Sequence, residues 1–238
     1  MEILKRKSNA ATFPEALSQS QINRRSFLRW GGMAGATVVV AGSMSGLTGC
    51  SKDDDGVDGI NLGSGDIGVL NYAYALEQLE AAFYTQVVQS QYANITAAET
   101  AYLTDIRDHE IAHREFFKKA LGNNAIPALE VNFTAIDFGS RASVLGTAKA
   151  FEDLGVTAYN GAGKLLTDVN YLLAAGKIVS VEARHAALIR ELLSPNSFGN
   201  AEVVDSNGLD LARSPREVLS VAAGFLKSKV NATNLPTS

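Results

Sequence analysis

The chain is poor in cysteine, in proline and in basic charge, and each shortage closes a route. One cysteine, Cys50, in 238 residues forbids a disulfide within the chain. It equally forbids thiolate-only zinc or iron sites, which take several cysteines. Any metal must therefore be held by carboxylate and imidazole. Lys and Arg number 21 against 25 Asp and Glu. No cationic surplus exists to neutralise phosphates, so a nucleic-acid partner is not expected. Only five prolines are present, leaving long stretches uninterrupted, and abundant alanine and leucine lean towards helix. A composition of 46% hydrophobic and 19% charged residues is that of a globular protein and argues against disorder.

What is there begins with an address. Asn23-Arg24-Arg25-Ser26-Phe27-Leu28-Arg29 sets two arginines before an uncharged stretch from Trp30 to Leu47, and Leu47-Thr48-Gly49-Cys50 closes it. A basic region, an apolar region and a small-residue cleavage site make a secretory signal. Arg24 and Arg25 resemble the twin-arginine export signal, and the closing tetrad resembles a bacterial lipobox, in which Cys50 is lipidated and becomes the new N-terminus. A membrane-spanning helix is the competing reading. It is disfavoured because seven of the 18 apolar-stretch residues are Gly or Ser, and the length is marginal for a span. On this reading 1–49 is removed, and 50–65, opening Cys50-Ser51-Lys52-Asp53-Asp54-Asp55-Gly56, is a flexible acidic tether. The mature part keeps 15 basic and 23 acidic residues. It is expected to face the periplasm or the cell surface, touching the membrane only through its lipid.

From Asp66 the pattern turns helical, with Ile67, Leu70, Tyr74, Ala81, Tyr84 and Val88 near one-face spacing. The spacing predicts a first helix over 66–91. Thr96-Ala97-Ala98-Glu99 is a capping box that opens a second, ending at Leu121 before Gly122. Segment 122–140 has no period and suits a crossover along a bundle. A third helix is expected over 141–164 and a fourth over 168–193. Ser214-Pro215-Arg216-Glu217 is another capping box, with proline at the first helical position, and opens a short fifth helix over about 215–229. The expected fold is all-α: a four-helix bundle over 66–193, then a loop and short helix over 194–238.

The two halves of that bundle repeat. Ala75-Leu76-Glu77 runs to Tyr84, and Ala150-Phe151-Glu152 runs to Tyr159, each Tyr seven residues after its Glu. Glu110-Ile111-Ala112-His113 follows Glu77 by 33 residues, and Glu182-Ala183-Arg184-His185 follows Glu152 by 30. A duplicated helical hairpin is the simplest account. Residues three apart share a helix face, so Glu110 with His113, and Glu182 with His185, can each meet one centre. Four carboxylates converging in a bundle core are prohibitive unless cations or protons compensate them. Two metal ions would do so, and mixed oxygen and nitrogen ligands suit iron or manganese. Glu80 shares the face of Glu77 and could replace it or join it. The repeat favours Glu77, because Glu80 corresponds to Gly155. Tyr84 and Tyr159 are read equally well as core aromatics. His109 points about 100° from Glu110 around the helix and is read as a surface or supporting residue.

A Glu from each of two helices and Glu-x-x-His from each of the other two is the di-iron carboxylate ligand set. Over about 66–193 the chain resembles the ferritin-like superfamily, which includes rubrerythrin, bacterioferritin and the desiccation-related proteins. The resemblance implies terminal carboxylates at Glu77 and Glu152, bridging ones at Glu110 and Glu182, imidazole ligands at His113 and His185, and supporting phenols at Tyr84 and Tyr159. It implies iron as the usual metal, with manganese as the alternative. It also implies a small oxidant or Fe(II) as substrate, and an oxidoreductase of ferroxidase or peroxidase type. By likeness to rubrerythrin, Glu80 would be a redox-dependent ligand. The desiccation-related relatives imply a rival, a stress-protective lipoprotein without turnover. Association into a homo-oligomer is left open.

Overall fold

The computed structural model describes residues 58–237. Arg24, Arg25 and Cys50, read above as export signal and lipidation site, lie outside the described residues. Four long helices dominate: α1 Gly65–Gln89, α2 Ala97–Leu121, α3 Arg141–Gly163 and α4 Val169–Leu193. A short α5, Pro215–Ala222, follows. Two-residue strands, β1 Ile60–Asn61 and β2 Val230–Asn231, pair in parallel. The architecture is the expected all-α bundle. α1 packs on α2 and α3 on α4 as two hairpins, and the hairpins meet through α1 and α3.

The helices divide into two kinds. Every residue of α1 from Gly68 to Ala81 is buried, as is α3 from Leu154 to Tyr159. A helix apolar on all sides belongs in the middle. α2 and α4 bury one stripe each. In α2 it runs Leu103, Ile106, Glu110, Phe117, Leu121; in α4 it runs Ile178, Glu182, His185, Ile189. The Glu-x-x-His residues thus lie on the inward stripes of the outer helices.

Local signals set the boundaries. The Thr96 side chain accepts from the Glu99 amide, and the Glu99 side chain accepts from the Thr96 amide, completing that capping box. Ser214 and Glu217 do the same for α5. Segment 122–140 lies along α1. Buried Asn71 donates to the carbonyls of Leu62 and Asn124 and accepts from the Ile126 amide, while Gln78 accepts from the Leu129 amide.

Two expectations need correction. Residues 50–65 are not tether throughout: Ile60–Asn61 forms β1, and Leu62 is fully buried. The Ile60 amide donates to the Lys229 carbonyl and the Leu62 amide to the Asn231 carbonyl. A partner some 170 residues away leaves no local trace in a Gly- and Asp-rich sequence. The fifth helix also stops short of 229. It ends at Ala222, continues as a 3-10 turn to Phe225, and yields to β2. The Asn132 amide takes the Phe225 carbonyl, so pairing with the crossover outweighs continued helix.

Candidate metal centre

The inward stripes of α2 and α4 and the cores of α1 and α3 meet at mid-bundle. Glu77 from α1, Glu110 from α2, Glu152 from α3 and Glu182 from α4 are each wholly buried. Two groups of potential ligand atoms form there. One joins Glu77, Glu110, His113 and Glu182; the other joins Glu110, Glu152, Glu182 and His185. Within each group the atoms lie within 4.8 Å of one another. Glu110 and Glu182 belong to both groups, while each group has its own Glu and its own His.

The short contacts are not hydrogen bonds. His113 Nδ1 lies 2.8 Å from Glu182 Oε1, and His185 Nδ1 lies 2.9 Å from Glu110 Oε1. Yet both Nδ1 atoms, both oxygens of Glu110 and of Glu182, and one oxygen each of Glu77 and Glu152 have no hydrogen-bond partner. Buried polar atoms are almost always paired. Eight orphans in one place, close but not pointed at one another, are what ligand atoms converging on shared cations look like. The donor set therefore fits bound metal.

Charge makes the same case. Burial, and then repulsion from Glu182, pushes the Glu77 carboxyl up. Burial pushes Glu110 well up, with Glu182 adding to it. For Glu182 burial acts in the same upward direction, but the His113 and His185 imidazoles beside it outweigh that and the net shift is down. Burial opposes charge on His113, yet Glu182 and Glu77 carry it up to about 10. Without cations the cluster holds protons instead; cations would displace them.

The remaining site residues surround this centre. Tyr84 of α1 donates to Glu152 Oε1 of α3 at 2.5 Å, and Tyr159 of α3 donates to Glu77 Oε1 of α1. Each hairpin's tyrosine therefore steadies the other hairpin's carboxylate, a crossing that spacing within one helix does not reveal. Glu80 is buried but falls outside both four-residue groups. Its Oε1 lies 3.1 Å from where a Cβ on Gly155 would stand. The equivalent positions of the repeat face each other, and a side chain at Gly155 would crowd the Glu80 carboxylate. Burial, then the neighbouring carboxylates led by Glu110, pushes the Glu80 carboxyl well up.

His109 has a closer part than its helical angle from Glu110 suggests. Its Nδ1 sits 2.9 Å from His185 Nε2. Burial and then the neighbouring His185 and His113 push the His109 pKa down, so it stays neutral and can accept. A His185 Nε2 proton donated to neutral His109 would leave His185 Nδ1 free to face a cation when one is bound. The informative spacing is to His113, four residues on and one helical turn away.

Comparison with known proteins agrees with this architecture. Residues 65–195 match the ferritin-like domain family, and the chain belongs to it. Residues 21–41 match the signal sequence of the twin-arginine translocation pathway. No curated protein matches the chain. The protein is thus a ferritin-like domain protein with a twin-arginine export signal and a carboxylate–histidine cluster fit for metal. Among the described residues no helix is long and apolar enough to cross a membrane.

Proposed function

We propose that the protein is an exported di-metal oxidoreductase, with iron as its metal and Fe(II) oxidation coupled to reduction of a small oxidant as its reaction. The supporting observation is the pair of four-residue groups sharing Glu110 and Glu182. When bound, a redox-active metal pair supplies electrons and charge compensation between ligands that leave room for an oxidant. The chain's own residues do the rest. Glu110 and Glu182 would span both ions, and Glu77 with His113 and Glu152 with His185 would each complete one. Tyr84 and Tyr159 hold the terminal carboxylates in place by hydrogen bonds. Complete burial of the four carboxylates excludes bulk water. The lone cysteine supports Fe(II) as reductant, because no thiolate-bound iron centre in this chain could deliver electrons.

Purified from its own cell envelope, the protein should carry about two metal ions per chain. His113→Ala with His185→Ala should remove both the metal and Fe(II)-dependent oxidant consumption. Fewer than about 0.2 ions per chain in the native protein would end this reading, given that a built ligand set binds its ions tightly.

The lipobox resemblance supports a membrane tether at Cys50 after export. Cys50→Ala should move the mature protein from the detergent-soluble membrane fraction to the soluble fraction; an unchanged partition would rule the tether out.

A further inference from the structure

The repeat is unequal beside its tyrosines, and the inequality leaves a cavity. Six residues after Glu77 stands Phe83; six residues after Glu152 stands Ala158. Phe83 is fully buried and packs against Phe133, Phe138 and Phe151, with ring centroids 5.1–6.0 Å apart. That aromatic cluster fills the first position of the repeat. At the second, Ala158 leaves space. A cavity of about 20 Å³ opens there, lined by Leu76, Phe117, Ala158 and Tyr159 within the bundle and by the half-buried Leu166 and Ala175 towards the surface. The same exchange of size recurs at Phe151, whose counterpart one residue before the other Glu is Leu76.

The lining is almost wholly carbon. The Tyr159 hydroxyl is committed to Glu77. The Tyr72 hydroxyl, on another lining residue, has no hydrogen-bond partner. One free hydroxyl is too few to hold a water, which needs two to four polar partners, whereas apolar cavities stay dry and take apolar guests. Through Tyr159 the cavity adjoins Glu77, and so the group that contains His113.

We infer that this cavity is the approach and holding site for dioxygen, and that dioxygen rather than peroxide is the oxidant this chain admits. The inference rests on the proposed function. Dioxygen is small and apolar and loses nothing on leaving water for carbon walls. Hydrogen peroxide would give up hydrogen bonds that the lining cannot replace. The approach is one-sided: it ends against Tyr159, which is bonded to Glu77, while the aromatic cluster fills the corresponding place by Tyr84.

Xenon-pressurised crystals test the site without any metal chemistry. Xenon should appear between Leu76, Phe117, Ala158 and Tyr159, and its absence there overturns the inference. Ala158→Phe gives this position the residue found at the other, and should exclude xenon. In iron-loaded protein it should raise the KM for dioxygen about tenfold, much more than it lowers kcat, because access rather than chemistry is lost. Ala158→Leu makes the same test if the larger ring prevents folding. An unchanged KM in a variant that excludes xenon overturns the route. Xenon binding in a wild-type protein that consumes no dioxygen with Fe(II) defeats the functional reading, and dioxygen as the guest with it.

Discussion

The hairpins α1–α2 and α3–α4 carry the same ligand pattern in unlike surroundings. The first has Glu80 where the second has Gly155, Phe83 where the second has Ala158, and His109 where the second has Val181. Residues aimed at the shared centre repeat, while those around it diverge. The divergences are also matched across the axis. Glu80 occupies the space that Gly155 leaves, and His109 supports not its own hairpin's histidine but His185 of the other. The candidate ligand atoms repeat between the hairpins. The packing around them does not repeat, and at Gly155 a second side chain would crowd Glu80 in a close-packed interior.

The comparison breaks most sharply at the candidate ligands themselves. Glu110 and Glu182 belong to both four-residue groups, whereas Glu77 and Glu152 belong to one each. Glu110→Ala should therefore empty both positions. Glu77→Ala should leave about one ion per chain, held on the Glu152–His185 side, because ligand loss acts first on the ion it touches. Anomalous scattering from crystals of each variant would read the two positions separately. Equal loss from Glu110→Ala and Glu77→Ala would mean that the ions bind only as a pair. Terminal and shared carboxylates would then not be distinguishable by their effect.

Much of this was legible from the residues because the chemistry is periodic. Glu-x-x-His at one-face spacing, given twice and each time preceded by Glu and Tyr, placed the six metal candidates on four helices before any geometry was known. Thr96 with Glu99 and Ser214 with Glu217 marked helix starts, because a capping box is a local hydrogen-bond exchange. The long-range pairings were not legible. Ile60–Asn61 joins Val230–Asn231, and Phe225 binds Asn132; neither has a periodic or local signature. Tyr84 reaching Glu152 and Tyr159 reaching Glu77 were hidden for the same reason. The repeat shows which residues correspond, not which face each other. Glu80 illustrates both sides: its mismatch with Gly155 was visible, but its lodging against that glycine was not.

The smallest effect should come from His109, which sharpens the contrast without touching an ion. Its Nδ1 lies 2.9 Å from His185 Nε2. At the matching place beside His113 the repeat offers Val181, which has no polar side-chain atom to play that part. His109→Ala should weaken metal at the Glu152–His185 position about tenfold, the usual cost of losing a partner that orients a ligating imidazole. Binding at the Glu77–His113 position should change little. Stepwise metal titration, with site occupancy followed by anomalous scattering, separates the two. His109→Gln, which keeps an acceptor at that point, should restore most of the loss. If both positions weaken together, His109 acts through the shared Glu110 that precedes its helical turn to His113. If neither weakens, His185 is held in place by its carboxylate neighbours alone, and the hairpins are more alike at the metal than their surroundings suggest.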